Sequence, residues 1–157
     1  MSHHPVRSAG LPAPVGPYSP GMQFERLVFV SGQGANDPRT GQLVGDDVAA
    51  QTAQCLANVE TILQAAGSSL QCVLRCGVFL LDMAEFPEMN AVYARVFGEH
   101  RPARTTIQAA ALPEGPPRRD RRGRLRPLTR ARGPHPHRRR RVSLQDCASR
   151  FADTRRR

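Results

Sequence analysis

Few residues of this chain combine reactive chemistry with a setting that could use it, and the foremost is Arg104, in the stretch RPARTTIQ. A guanidinium can clamp a carboxylate through two parallel hydrogen bonds, which adds geometry to charge. The bland use of the same side chain is a surface or interface salt bridge. Thr106 follows two residues later and shares the face of Arg104 if the segment is a strand. Tyr18, in GPYSPG, offers a phenol either to a pocket or to simple packing. Ser31 and Gly32, in VSGQ, are by themselves a turn signal. Asn90 is polar and helix-borne, and its expected role is exposed or structural. Cys55, Cys72, Cys76 and Cys147 form no C-x-x-C spacing, so neither a disulfide nor a zinc site is expected; buried thiols in a reducing cytoplasm are. His135 and His137, in HPHRR, have no third partner at ligand spacing, so no metal is assigned.

These groups need elements to hold them. RLVFVSGQ (Arg26 to Gln33) is β-rich and follows a segment punctuated by Pro and Gly, which suggests a first strand or a loop leading into a hairpin. Val48, Thr52, Cys55, Leu56, Val59, Ile62, Leu63 and Ala66 fall on a single helical face, with Asp46 or Asp47 as cap and Gly67 past the end. QCVLRCGVFLLD is an apolar run of strand length. A second helix opens with Asp82 and Glu85 in capping-box register and Pro87 in its first turn; Phe86, Met89, Tyr93, Val96 and Phe97 share one face. ARTTIQAAALP returns to strand, with Arg104, Thr106 and Gln108 on one face and Thr105, Ile107 and Ala109 on the other. The order β-β-α-β-α-β predicts an α+β sheet with both helices on one face. Such a sheet calls for one more strand after Pro113, and the sequence there does not read as one.

The charge changes at the same place. Up to Pro117 seven arginines meet ten carboxylates, a net charge of −3, whereas from Arg118 onward sixteen arginines meet three aspartates, a net charge of +13. The overall +10 therefore belongs to the end of the chain. No lysine occurs, as a G/C-rich gene would dictate. At 157 residues there is room for one domain of common size. MSHHPVRSAG lacks the apolar run of a signal peptide, and no stretch approaches membrane-spanning length, so a soluble cytoplasmic protein without membrane contact is expected.

APVGPYSPG, VFVSGQGANDPRTGQLVGDDVAAQTAQCLANVETILQAAG, VFLLDMAEFPEMNAVYARVF and RPARTTIQAAALPEG together resemble, in order and spacing, the RidA/YjgF (L-PSP) reactive-intermediate deaminase family. The resemblance runs from about Pro12 to Gly115. It implies a chorismate-mutase-like α+β fold and a homotrimer with active sites in clefts between subunits. It also implies no cofactor, and hydrolysis of 2-imino or enamine acids, of the 2-aminoacrylate or 2-iminobutanoate type, to 2-keto acids and ammonia. Carried onto this sequence, it makes Arg104 the catalytic, carboxylate-binding group and adds Tyr18, Ser31, Gly32 and Thr106 as substrate-binding residues. Thr106 stands where many members have cysteine, so its contribution would come from backbone.

The family continues after LP with a strand of the type V-E-I-x-A-x-A, and here LPEGPPRRDRRGRLRP follows instead. Shifted by one base, the G/C-rich codons for that run permit, among other readings, LRVEIDAVAYV; the slot of Arg119 becomes Val, Ala, Gly or Glu, and a Glu there falls fifteen residues after Arg104, where the resemblance places an acidic catalytic group. The resulting expectation is a flexible N-terminus (1–11), a RidA-like domain (12–115), and an Arg-rich disordered tail (116–157) that is out-of-frame translation, leaving the sheet without its final strand and the literal product unstable or inactive. The rival expectation is a genuine basic tail. Runs such as HRRRRVS would give salt-sensitive contact with RNA or DNA phosphates, although Phe151 is the tail's only aromatic. A third reading stays within the family, some of whose members are associated with ribonuclease activity or translation inhibition.

Overall fold

The computed structural model describes residues 2–7, 10, 14, 16–113 and 142–150, with Asp146 described by its backbone alone. In chain order the elements are β1 (His3–Val6), β2 (Gly21–Phe24), β3 (Leu27–Val30), β4 (Gln33–Gly34), α1 (Val48–Ala65), β5 (Val73–Leu80), α2 (Phe86–Phe97), β6 (Ala103–Gln108) and β7 (Val142–Arg150). One mixed sheet runs β1-β2-β3-β7-β5-β6, with β4 also paired to β7. All pairs are antiparallel except β5 with β6, which are parallel and joined by the α2 crossover. The fold is α+β.

α1 forms where the apolar spacing puts it. Asp47 caps its N-terminus, its Oδ1 accepting from the Ala50 amide at 2.7 Å. Beyond its end Gly67 takes φ +72°, and the Ser68 amide reaches back to the Leu63 carbonyl at 2.8 Å. All eight residues of the expected face are buried. Each large aliphatic among them contributes about 1.5–3 kcal/mol through burial. The helix lies so close over β2 that a Cβ on Gly21 would stand 2.9 Å from Ile62 Cγ2 and 3.1 Å from the Phe29 carbonyl oxygen, which explains a glycine there.

α2 begins later than the capping-box spacing predicts. Asp82 caps a single 3-10 turn, Met83–Glu85, its Oδ1 accepting from the Ala84 amide at 2.9 Å, and the α-helix proper starts at Phe86 with Pro87 in its first turn. Met89, Val92, Tyr93 and Phe97 are buried, and the core joins both helices to Val28 and Val30 of β3, Val78 and Leu80 of β5, and Val142 and Leu144 of β7. Phe29 and Ile107, which alternate to the helix-free face, are exposed.

Two expectations are corrected. The final strand is not missing: β7 lies within the segment read as a disordered tail, and it fills the centre of the sheet between β3 and β5. Val142, Leu144, Cys147 and Ser149 of β7 are all buried. Its pairing with β5 shifts register between Arg75 and Gly77, so that the alternation of the strand is interrupted. The N-terminal residues are not wholly flexible either, since β1 pairs with β2 from His3 opposite Phe24 to Val6 opposite Gly21, and Val6 is buried. Arg119, His135 and His137, the run from Arg138 to Arg141, and the expected frame change after Gly115 lie outside the described residues.

Candidate functional site

β6 is an edge strand, and its alternation turns Arg104 and Thr106 toward α2. Arg104 is half-buried there. Its guanidinium carbon stands 4.6 Å from the ring centre of Tyr93 and 5.5 Å from that of Phe86, so its charge rests on two aromatic faces. One Nη2 hydrogen bond, 2.8 Å long, goes to Asn90 Oδ1. Phe86, Asn90 and Tyr93 lie on one side of α2 because they are separated by four and three residues. Among the described residues no carboxylate pairs with Arg104. A guanidinium carries five N–H donors, and the asparagine takes one, so the group is aimed and still able to clamp an anion. Asn90 is therefore more than a surface polar residue, and its i, i+4 relation to Phe86 was the available signal.

The Thr106 hydroxyl is buried without a hydrogen-bond partner among the described residues. That is a costly state for an oxygen unless something else meets it. Tyr93 is buried against Arg104 and has the thiols of Cys76 and Cys147 as neighbours. Burial first, and then the neighbouring Cys76 and Cys147, push its phenol well up from the ordinary 10.0, while the charge of Arg104 opposes the shift.

The other expected site residues lie elsewhere on the chain. Ser31 follows β3 directly and is bound twice to the loop before β2: its hydroxyl donates to the Ser19 carbonyl at 2.6 Å, and its amide to the Pro20 carbonyl at 2.9 Å. This pins the loop that carries Tyr18, which is 49% exposed. Gly32 adjoins β7, where a Cβ would meet Gln145 Cγ at 3.1 Å. In the sheet Val30 pairs with Cys147 and Cys76 with Arg104, so the end of β3 is three strand spacings, roughly 14 Å, from β6. Within one chain Arg104 and Thr106 are thus brought together, and Tyr18, Ser31 and Gly32 are brought together, but the two groups stand apart. No cluster of three or more potential metal ligands occurs among the described residues. No helix among them is long and apolar enough to cross a membrane.

The fold defines the class: a sheet backed by two helices, as in the YjgF/L-PSP proteins. The solved structure of the YjgF gene product from E. coli superposes with a TM-score of 0.75 at 27% identity, covering 95% of this chain and 99% of that one. RidA from an Antarctic Psychrobacter gives a TM-score of 0.75 at 28% identity, over 94% and 99% of the two chains. Residues 9–117 match the family described as Endoribonuclease L-PSP, and the chain belongs to that family, the RidA/YjgF family. A RutC family protein of Pyrococcus horikoshii is 45% identical over 103 residues, 66% of this chain and 82% of its own. A Bos taurus protein named 2-iminobutanoate/2-iminopropanoate deaminase is 41% identical over 110 residues, 70% of this chain and 80% of its own.

Proposed function

We propose that the protein hydrolyses small 2-imino acids to 2-keto acids and ammonia. The observation that carries this reading is Arg104: a guanidinium held by Asn90 and two aromatic rings, with no carboxylate pairing it among the described residues. The substrate carboxylate takes two of its N–H groups, which fixes the adjacent C=N carbon. Water adds to that carbon and one of its protons passes to the nitrogen, giving a carbinolamine; the hydroxyl proton then follows to the nitrogen as the C=O bond forms and the C–N bond breaks, leaving the keto acid and ammonia. Thr106, one strand repeat of roughly 7 Å from Arg104, offers its hydroxyl, which has no hydrogen-bond partner among the described residues, to the water or to the departing nitrogen. No cofactor is needed for this step. The names of relatives from Bos taurus, Capra hircus and Mus musculus support the same substrate class.

The active form is a homotrimer in this reading. Its support is the separation of the two residue groups, which a neighbouring subunit would remove by bringing its Tyr18 loop against Arg104. Exposed Phe29 and Ile107 on the helix-free face favour burial between copies. The test is to follow 2-keto acid release from an imino acid formed in situ, using the wild type and Arg104→Ala, with light scattering to obtain the mass. Loss of catalysis in an Arg104→Ala protein of unchanged mass, at three times the monomer, supports the reading. Equal rates for the two proteins, or an active monomer, would overturn it.

A further inference from the structure

The fold brings together two thiols that their sequence spacing gives no reason to pair. Cys76 Sγ and Cys147 Sγ are 2.9 Å apart, although 71 residues separate them in the chain. That is well inside the contact distance of about 3.5–4.0 Å for unbonded carbon atoms, and less than 1 Å beyond a disulfide bond of about 2.04 Å. The pairing of β5 with β7 explains how they meet. Arg75 stands opposite Ala148 and Gly77 opposite Gln145, so Cys76 alone faces Asp146 and Cys147, a bulge that re-aims the thiol of Cys147. Strands about 4.8 Å apart lie within reach of the Cα separations that disulfides span.

The other two cysteines are engaged elsewhere. Cys55 Sγ lies 3.8 Å from the Val142 carbonyl, and the Ser69 hydroxyl donates to Cys72 Sγ at 3.6 Å. The pair is not part of a metal cluster among the described residues. Sulfurs this close are arranged for oxidation to each other.

We propose that Cys76 and Cys147 are an oxidisable pair, converted by a two-electron oxidant of the peroxide class into a cross-strand disulfide that fastens β7 to β5, one strand away from Arg104. One sulfur, as thiolate, attacks the peroxide O–O bond; an S–O bond forms, and the leaving oxygen is protonated to water. The second sulfur then attacks the first. The S–S bond forms, the S–O bond breaks, and the hydroxyl leaves with a proton as a second water. Together the thiols lose two protons and two electrons, and the peroxide is reduced to two waters. Both cysteines are buried, so attack waits on local opening of β7, and the rate of cross-linking reports that opening. The bond closes a long loop and restricts the unfolded chain, which raises the melting temperature.

The test uses the full chain, purified under reductant, desalted and treated with hydrogen peroxide. It is then denatured, alkylated and digested with trypsin without reduction. Cleavage after Arg75, Arg95, Arg141 and Arg150 places Cys76 and Cys147 in separate peptides, each holding a single cysteine. The expected result is one species joining Cys76–Arg95 to Val142–Arg150 with the loss of two hydrogens, alkylated Cys55 and Cys72, and a melting temperature raised by about 5–15 °C that dithiothreitol restores. Alkylation of both Cys76 and Cys147 after peroxide, sulfinic acid at either without a link, or a link that joins isotopically heavy to light chains would each overturn the proposal.

Discussion

Leu144→Ala tests whether β7 belongs to the folded domain. Leu144 is wholly buried, sits opposite Val78 of β5 and Gln33 of β4, and joins the core beneath α1. Truncation removes buried methyl groups and leaves a cavity that a central strand cannot easily collapse, a cost of about 2–5 kcal/mol. Taking about 3 kcal/mol, the melting temperature of a domain of this size falls by roughly 10 °C. Gln64→Ala is the control: the side chain is exposed on the outward side of α1, away from the helix-free face of the sheet, and its removal changes stability by no more than about 0.5 kcal/mol. Urea unfolding followed by circular dichroism measures both, and for Leu144→Ala the midpoint drops while the slope is unchanged. Superimposable curves for the wild type and Leu144→Ala would put β7 outside the folded domain, because a tail outside the fold has nothing to lose at residue 144.

Arg104→Lys keeps the charge and discards the fork, so loss of a charged hydrogen bond worth about 1.5–3 kcal/mol should lower kcat/KM for an imino acid roughly 10- to 100-fold; steady-state rates against substrate concentration check this. The raised phenol of Tyr93 has a definite sign: its folded value lies above the unfolded one near 10, so its stabilising effect is complete below pH 10 and is lost as the pH climbs beyond it. In a Tyr18→Phe variant, where Tyr93 is the sole tyrosine, phenolate absorbance should therefore rise only together with alkaline unfolding, and a separate earlier rise would count against a buried Tyr93. Asp47→Ala removes the cap of α1 and should cost about 1 kcal/mol in chemical denaturation.

Much of the framework was legible in the residues. The eight-residue face of α1 has a period that only a half-buried helix satisfies, and the alternation of ARTTIQ correctly put Arg104 with Thr106. What escaped was non-local. VSLQDCASR alternates only as far as a bulge and sits behind a run of arginines, so neither its pattern nor its neighbours announce a central strand. β1 contains Pro5 between histidines and valine, and its pairing with β2 outweighs a weak local propensity. The setting of Arg104 was half visible: a guanidinium suited to carboxylates could be named, but Asn90, Phe86 and Tyr93 become its supports only when α2 crosses over β6. Likewise Cys76 and Cys147 share no motif, and the register of two strands alone makes them neighbours.

Imine hydrolysis is measured by supplying 2-iminobutanoate, generated in situ from the amino acid by an amino-acid oxidase, and recording 2-ketobutanoate formation with and without the full-length chain. The expected result is release well above the spontaneous rate, proportional to protein concentration and abolished in Arg104→Ala. Release at the spontaneous rate by a folded wild-type chain would contradict it.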